Sequence, residues 1–447
     1  MMKKLIYGLL LIGFLWPLQL IAQEKDGVMS FTFQEALDYA TLNAFQSKSA
    51  DYDIEAAEKK VWEYLAIGMP QVDGSSQFVD NLAIQKSVLN MEGRDDNSPD
   101  MSFDVQMGQK YNWSLTGKVS QLLFDGTYFL GVRASKVYVD LSRKNKTKTE
   151  ISVREAVGEA YYLVLIAKKN HETFLENLAV NEKTLKETEA YFQNGFREQT
   201  DVDQVRLMVN TQKNLVLEAE RQLVITEAVL KYGMGISIDQ PIELKDDIDT
   251  LLNPVESYDI NSQNFSVYSH IDYSIMETQE EAQKLLLRNE KYQYLPKLNA
   301  FYDYSYIRFG DDLVDTDKTH SSMWGLSLSV PIFSSGQRLS KVKQEKIKYL
   351  KLQNEKYQLE EQLRQSLMVA ESNFKNAKAV YQNDKEGEAI AFRIYDKTRI
   401  KFTNGLSSST ELSQNEGQYI QSQIKFITST VSLLKAHIQY RKAINQF

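Results

Sequence analysis

The chain has 447 residues, of which 43% are hydrophobic and 25% charged, with a formal net charge of −8 and no cysteine. This composition is globular and acidic, which argues against a nucleic-acid partner, because such binding relies on basic surfaces. Without cysteine there are no disulfides, so an exported chain of this kind must be stabilised by packing or oligomerisation.

The N-terminus carries a targeting signal. Lys3 and Lys4 precede an apolar run over residues 5–20, and Ala22 supplies a small residue for cleavage. This pattern predicts a secretory signal peptide over residues 1–22, because the run is too short for a comfortable membrane span. No later stretch reaches the roughly 18 apolar residues of a transmembrane helix. We therefore expect an exported protein that is periplasmic, secreted or a β-barrel of an outer membrane.

The first mature element is predicted to be a helix over residues 33–67, which is rich in Ala, Glu and Lys and lacks Gly and Pro. Pro70 follows it, and proline cannot continue the helical hydrogen bonds. A matching helix over residues 268–294 precedes Pro296. The same helix-to-strand junction is thus expected twice.

After each proline the residues alternate with a period of two, which predicts strands over about 71–85, 111–124, 297–309 and 322–333. One face is apolar and carries Trp113, Tyr302 and Trp324, and the other is small and polar. A half-buried soluble sheet shows the same alternation. Strands of about ten residues in two hairpins of an exported chain favour a membrane β-barrel, with these aromatics as its belt. The connections over 85–110 and 308–321 are expected to be solvated polar loops.

Each second strand is followed by a long helical sequence, over residues 127–194 and 337–404. Each would span roughly 100 Å, which requires a bundle or coiled-coil partner. Return helices are expected over 201–233 and 411–445, with apolar side chains at the 3-4 spacing of coiled coils. The predicted stripes are Val202, Val205, Val209, Gln212, Val216, Ala219, Leu223, Thr226 and Leu230, then Ile420, Ile424, Ile427, Val431, Leu434 and Ile438.

A short signature lies between each long helix and its return helix. The residues FQNGF…TDV at 192–202 recur as FTNGL…TEL at 402–412. Asn-Gly suits a helix stop and the following Thr or acid suits an N-cap, so each copy predicts a tight reversal. An ordinary helix connection is the alternative, but the surrounding elements repeat as well. The predicted divisions are a signal peptide (1–22), a first repeat (23–235), a linker (236–263) and a second repeat (264–447).

The sequence contains no signature of catalysis. Its 4 histidines are scattered without zinc-ligand spacing, and there is no phosphate-binding glycine loop or cysteine nucleophile. We expect no enzyme activity, no metal and no cofactor.

The number of strands predicts an assembly. Four strands cannot close a barrel, and open edges do not persist in lipid because every backbone polar group must be paired. Three copies would supply twelve strands, within the bacterial range. Two would supply eight, which leave little room beyond side chains. We therefore expect a homotrimer surrounded by outer-membrane lipid.

This duplicated order of helix, Pro, strand pair, Phe-x-Gly, long helix, Asn-Gly reversal and return helix resembles the TolC family of outer-membrane efflux proteins over essentially the whole mature chain. The resemblance implies a mainly α fold, with a long α-helical coiled-coil barrel and four strands per chain of a trimeric 12-stranded β-barrel. It implies a passive exit channel in the outer membrane, extending into the periplasm. The channel would serve a tripartite efflux or type I secretion system, through a periplasmic adaptor (membrane fusion) protein and an inner-membrane RND, ABC or MFS pump.

In that family the reversals form the periplasmic entrance, where the adaptor docks and acidic residues constrict the pore. The docking positions implied here are Gly195, Phe196, Thr200, Asp201, Gly405, Leu406 and Thr410. The constriction positions implied are Asp201, Glu411, Gln414 and Arg197. Phe402 and Ser407 stand where the family's gate lock has a tyrosine and an arginine, and Arg197 and Asp201 could form another lock. Helix capping is the competing role for the acids, and it is favoured for the two threonines.

A rival interpretation is an exported, non-transporting coiled-coil protein with a structural or adhesive role and soluble hairpins. Such a hairpin has no reason to place Trp113, Trp324 and Tyr302 at lipid depth.

Overall fold

The computed structural model describes residues 28–91, 101–106, 108–260 and 265–446, so the predicted signal peptide lies outside the described residues. In chain order the elements are β1 (Met29–Phe31), α1 (Phe33–Asn43), α2 (Phe45–Ile67), β2 (Gln71–Asp80), β3 (Lys86–Met91), β4 (Met101–Gln106), β5 (Tyr111–Asp125), α3 (Gly126–Gln193), α4 (Gln199–Met234), β6 (Ile242–Leu244), α5 (Ile248–Glu256), α6 (Ile271–Tyr292), β7 (Lys297–Gly310), β8 (Asp317–Ser329), α7 (Gln337–Thr403) and α8 (Ser409–Ala443).

Two long helices, α3 with 68 residues and α7 with 67, set the length of the molecule. Each packs against its return helix, α4 or α8, and against the helix that precedes its strand pair, α2 or α6. Each long helix spans roughly 100 Å, and the shorter helices of about 30–55 Å share that length. Across the described residues, no helix is long and apolar enough to cross a membrane.

The core along α4 follows the predicted 3-4 spacing. Val205 and Leu230 are fully buried, and among the nine predicted positions Leu223 alone is only partly buried. The predicted α8 stripe is wrong in part, because Ile424 is 46% exposed. The buried side of α8 begins instead with Leu412, Glu416, Tyr419 and Gln423. Ile424 follows directly after the buried Gln423, while Ile427 and Val431 of the predicted stripe are partly buried against the core.

The helix predicted over residues 33–67 is two helices, because Ala44 takes an extended backbone with φ −57° and ψ 144°. Gly235, which ends α4, lies against this break. It has a left-handed φ of 73°, and a Cβ there would lie 2.3 Å from the carbonyl oxygen of Asn43. Only glycine permits this approach, so the end of α4 and the α1–α2 break fit each other.

The segment between the repeats is structured. β6 pairs in parallel with β1, and α5 buries Ile248, Leu252 and Val255 in the main core. The sequence predicted only a connection here. β1 and β6 have three residues each, too few to show a period, and they are distant in sequence.

The strands form an antiparallel sheet in the order β2-β5-β7-β8, so β2 and β8 are its edges. β2 ends at Asp80, before the predicted residue 85, and Asn81 then donates its backbone N–H to the Lys110 carbonyl. β8 covers Asp317–Ser329 rather than 322–333, because Pro331 cannot donate to the ladder. The connection predicted as a polar loop contains a second hairpin, in which β3 pairs with β4.

The sheet continues directly into α3. Asp125 ends β5 and caps the helix, accepting the N–H of Thr127 at 2.8 Å. The same carboxylate pairs with Lys297 Nζ of the neighbouring strand at 2.9 Å. The Asp125 side chain therefore links the start of α3 to the neighbouring strand β7.

Candidate functional site

Both predicted reversals are present and share one backbone conformation. Gly195 and Gly405 are left-handed, with φ of 79° and 77°. The next N–H in each case, of Phe196 and Leu406, donates to the long helix's last turn at 2.9 and 2.8 Å, a helix-ending motif that favours glycine. Phe196 is 77% exposed and Leu406 78%. Each reversal thus presents one large apolar side chain to its surroundings.

The residues that begin the return helices are not the predicted ones. Glu198 is the N-cap of α4, and its N–H donates to Asp201 Oδ2 at 3.3 Å. Ser408 is the N-cap of α8, and its Oγ accepts the N–H of Glu411 at 3.1 Å. The prediction that the two threonines cap the return helices is therefore wrong. Thr200 and Thr410 lie one residue inside their helices and are exposed.

Arg197 connects the two reversals. Its guanidinium carbon lies 4.1 Å from the centre of the Phe402 ring, and its Nη2 donates to the Phe402 carbonyl oxygen. Its Nη1 lies 4.0 Å from Asp201 Oδ2, and the arginine side chain is only 13% exposed. Phe402 is itself buried against Leu412 and Val205. The predicted neighbours Arg197 and Asp201 are thus brought together, with Phe402 as a third partner.

The remaining constriction candidates lie on the exposed side of α8. The Ser407 hydroxyl donates to Glu411 Oε2, with 2.5 Å between the two oxygens. Glu411 and Gln414 are both exposed in the single chain, one helical turn apart. They are therefore available to line a pore or to meet a partner.

A buried polar cluster farther from the reversals was missed from the sequence. The Tyr395 hydroxyl of α7 donates to Asn181 Oδ1 of α3 at 2.9 Å, and Asn181 Nδ2 donates to Glu416 Oε1 of α8 at 2.5 Å. Asn181 is 1% exposed and Glu416 5%. Burial raises the pKa of Glu416 to about 7, against the lowering effect of the Asn181 hydrogen bond. The sequence feature that could have indicated this cluster is the position of Glu416 at coiled-coil spacing between Leu412 and Tyr419, which predicts a buried side chain.

The sheet places all three predicted belt residues on one face. Tyr302 pairs directly with Trp324 on β8 and with Val119 on β5. Trp113 lies nearer the start of β5 than Val119 does, on the same face. At about 3.4 Å per residue, the two tryptophan rows are roughly 20 Å apart along the strands. Trp113, Tyr302 and Trp324 are 40%, 47% and 78% exposed. Their separation is close to the height of an outer-membrane apolar band, about 25 Å.

The opposite face of the sheet is mostly small and polar. Its residues include Gln71, Asp73, Ser75, Gln77, Ser114, Thr116, Lys118, Ser120, Asp303, Ser305, Thr319 and Ser321. Nowhere in the described part of the chain do three or more His, Asp or Glu side chains lie where they could hold a metal ion.

Comparison with known proteins gives the family. A family model for outer membrane efflux proteins matches residues 37–235 and 278–446. No curated protein sequence matches the chain. Among solved structures, CusC is similar with a TM-score of 0.70 at 13% identity, covering 92% of this chain and 91% of CusC.

Two further structures give the same result. The outer membrane protein VceC from Vibrio cholerae has a TM-score of 0.65 at 14% identity, covering 92% of this chain and 95% of VceC. The CmeC outer membrane channel from Campylobacter jejuni has a TM-score of 0.66 at 16% identity, covering 93% and 85%. These likenesses show a TolC-like fold, as the sequence predicted. Since the family model matches both repeats, the chain belongs to the outer membrane efflux protein family and is a protein of the outer membrane.

Proposed function

We propose that three copies of the chain form a passive exit duct, which a periplasmic adaptor connects to an inner-membrane RND, ABC or MFS pump. The observation that carries this proposal is the four-stranded sheet with edges at β2 and β8. An open edge has unpaired backbone groups, which lipid does not tolerate. β2 and β8 run antiparallel to each other, so β8 of one copy continues into β2 of the next in the same antiparallel pattern.

The two faces of the sheet support a hollow barrel rather than a soluble layer. The aromatic face suits lipid and the small polar face suits water, as in outer-membrane barrels. The rival, an exported structural protein with soluble hairpins, would leave Trp324, 78% exposed, without a hydrophobic environment. Exposed aromatics in two rows along the strands favour the channel.

Exposed apolar side chains on the helices support the association of several copies. Leu207 and Val224 of α4 are 65% and 64% exposed, and Ile424 of α8 is 46% exposed. A single chain leaves these coiled-coil sides uncovered. Neighbouring copies around a threefold axis would bury them and extend the barrel as a helical tunnel.

The proposal is tested by reconstituting the purified mature protein in planar lipid bilayers. We expect discrete, stable conductance steps, and retention in the outer-membrane fraction after a carbonate wash. A protein that gives no conductance and is released by carbonate would support the structural alternative.

Glu411→Gln is expected to lower the preference of the channel for cations. Three copies of an exposed carboxylate around one axis would concentrate negative potential at the entrance. The permeability ratio of K⁺ to Cl⁻, measured from the reversal potential in a salt gradient, should fall about two- to fivefold. An unchanged ratio would remove Glu411 from the constriction.

Gly405→Trp is expected to block adaptor docking while leaving the trimer intact. Gly405 has a left-handed φ of 77°, and a Cβ there meets nothing within 4 Å. The new side chain would therefore project from the reversal, at a backbone cost of about 1 kcal/mol. Site-specific cross-linking to the adaptor should fall by at least about tenfold, a loss of about 1.4 kcal/mol in binding. Normal cross-linking would refute the docking assignment, and Gly195→Trp repeats the test at the other reversal.

A further inference from the structure

The polar face of the sheet carries one row of three charged residues near its middle. Asp73, Lys118 and Asp303 are direct neighbours on β2, β5 and β7, and Met323 of β8 completes the row. The paired rows on either side of this one contain no charged residue on these four strands. Three adjacent strands therefore bring two carboxylates and one ammonium group together near the middle of β7.

Lys118 forms no ion pair with the carboxylates on its partner strands, within the described residues. These carboxylates, of Asp73 and Asp303, both lie directly across from Lys118. Its Nζ lies instead 5.7 Å from the centre of the Phe301 ring, one row away. Diagonal neighbours of a sheet are within reach of such long side chains. The ammonium group thus sits over an aromatic face, which attracts cations.

The Phe301 ring occupies space that a glycine on the neighbouring strand leaves open. It lies over Gly325, its direct partner on β8, where a Cβ would come within 2.7 Å of the ring. Glycine at this position lets the ring approach the backbone of β8 closely. Asp303 lies two residues after Phe301 on β7. Its Oδ1 is shielded from solvent and accepts no hydrogen bond from any described residue.

We propose that Phe301 and Asp303 form a binding station for organic cations in the lumen of the barrel, and that Lys118 occupies it when no substrate is present. An aromatic surface beside a carboxylate is the arrangement that recognises a flat, positively charged molecule. Asp73 adds a second carboxylate from the other side of Lys118. This inference rests on the proposed function, because the polar face is a lumen only when several copies close the barrel.

The station would bind cations weakly and would occur three times in the trimer. A single cation–π contact at an exposed site is worth about two- to fivefold in affinity, which is too little to retain a substrate. Such a site slows a passing cation briefly without blocking the duct, and conduction requires binding of this strength. Lys118, as a tethered competitor, would promote release.

The test uses the purified full assembly and the fluorescent cation rhodamine 6G, with binding followed by anisotropy. Lys118→Gln removes the competitor and should tighten binding about two- to fivefold. Phe301→Leu, combined with Lys118→Gln, should reverse that gain, and so should Asp303→Asn. Lys318→Gln is the matched control, because Lys318 pairs with Arg308 on the opposite face of the same sheet. It makes the same change in net charge and should leave binding unchanged.

The anion fluorescein provides a second readout, whose binding should not tighten in Lys118→Gln. If Lys118→Gln and Lys318→Gln change rhodamine binding equally, general charge explains the effect and the station does not exist. No response to Lys118→Gln or to Phe301→Leu in assemblies that still conduct would also overturn the station while leaving the proposed channel standing. Loss of all conductance in the unaltered protein would instead refute the proposed function itself.

Discussion

Arg197→Ala is expected to widen the periplasmic entrance of the assembled channel. Arg197 holds the α3–α4 reversal to Phe402 of α7 by ring stacking and by a charged hydrogen bond to the carbonyl oxygen. A charged hydrogen bond of this kind contributes about 2 kcal/mol. Its loss would shift an equilibrium between joined and separated hairpins by roughly thirtyfold. Single-channel conductance in planar bilayers should rise severalfold.

The control for this experiment is Arg206→Ala. Arg206 lies on α4 and pairs with Glu189 on the surface, with 51% of its side chain exposed, and exposed pairs of this kind contribute little. Its replacement should leave conductance unchanged. Arg197→Lys should give an intermediate value, because lysine keeps the charge but not the planar stack on Phe402. Equal conductance of Arg197→Ala and the unaltered channel would show that this contact does not hold the entrance closed.

Glu416→Gln is expected to stabilise the folded protein above neutral pH. Burial raises the pKa of Glu416 from 4.5 to about 7. Between those pH values the folded chain keeps a proton that the unfolded chain has released, so the free energy of unfolding falls as pH rises. The total loss across the window is about 3 kcal/mol per chain. Glutamine stays neutral and still accepts from Asn181, so it should remove this dependence.

The measurement is the melting temperature of the detergent-solubilised protein at pH 5 and pH 8. The unaltered chain should lose several degrees between these values, and Glu416→Gln should lose much less. Glu411→Gln is the matched control, because Glu411 is exposed on the same helix. If Glu416→Gln shows the same pH dependence as the unaltered chain, Glu416 is not a protonated buried carboxyl.

The repeat, the reversals and the strand faces were predictable because each depends on local sequence. Asn-Gly favours the end of a helix, and alternation of side chains defines a strand from its own residues. The α4 stripe was predicted for the same reason, since Val205 and Leu230 follow one continuous 3-4 spacing. These features need no knowledge of distant parts of the chain.

Features that depend on distant contacts were not predictable. The break at Ala44 fits Gly235, far along the chain, and the β1–β6 pair joins two strands that are also distant in sequence. The apolar spacing of α8 suggested a buried stripe through Ile424, because the side that is buried there contains the polar residues Glu416 and Gln423. The caps were displaced by two residues, since Glu198 and Ser408 compete with Thr200 and Thr410 for one role.

Of the candidate site, the positions were predictable but the partners were not. The sequence placed Arg197 near Asp201 because both lie at one reversal. The contact with Phe402 depends on how the two hairpins pack against each other. The cluster of Asn181, Tyr395 and Glu416 joins three helices, so no single stretch of sequence indicates it.

The central claim is that the edges of this sheet are closed by two further copies of the chain. Disulfide cross-linking tests it directly, because the natural chain contains no cysteine and gives no background. Ser327→Cys on β8 is combined in turn with Gln71→Cys, Ser75→Cys or Gln77→Cys on β2, oxidised in membranes and analysed by denaturing electrophoresis. At the matching register we expect a ladder of linked chains that stops at three. A disulfide confined to single chains, or a ladder that stops at two, would contradict the trimeric barrel.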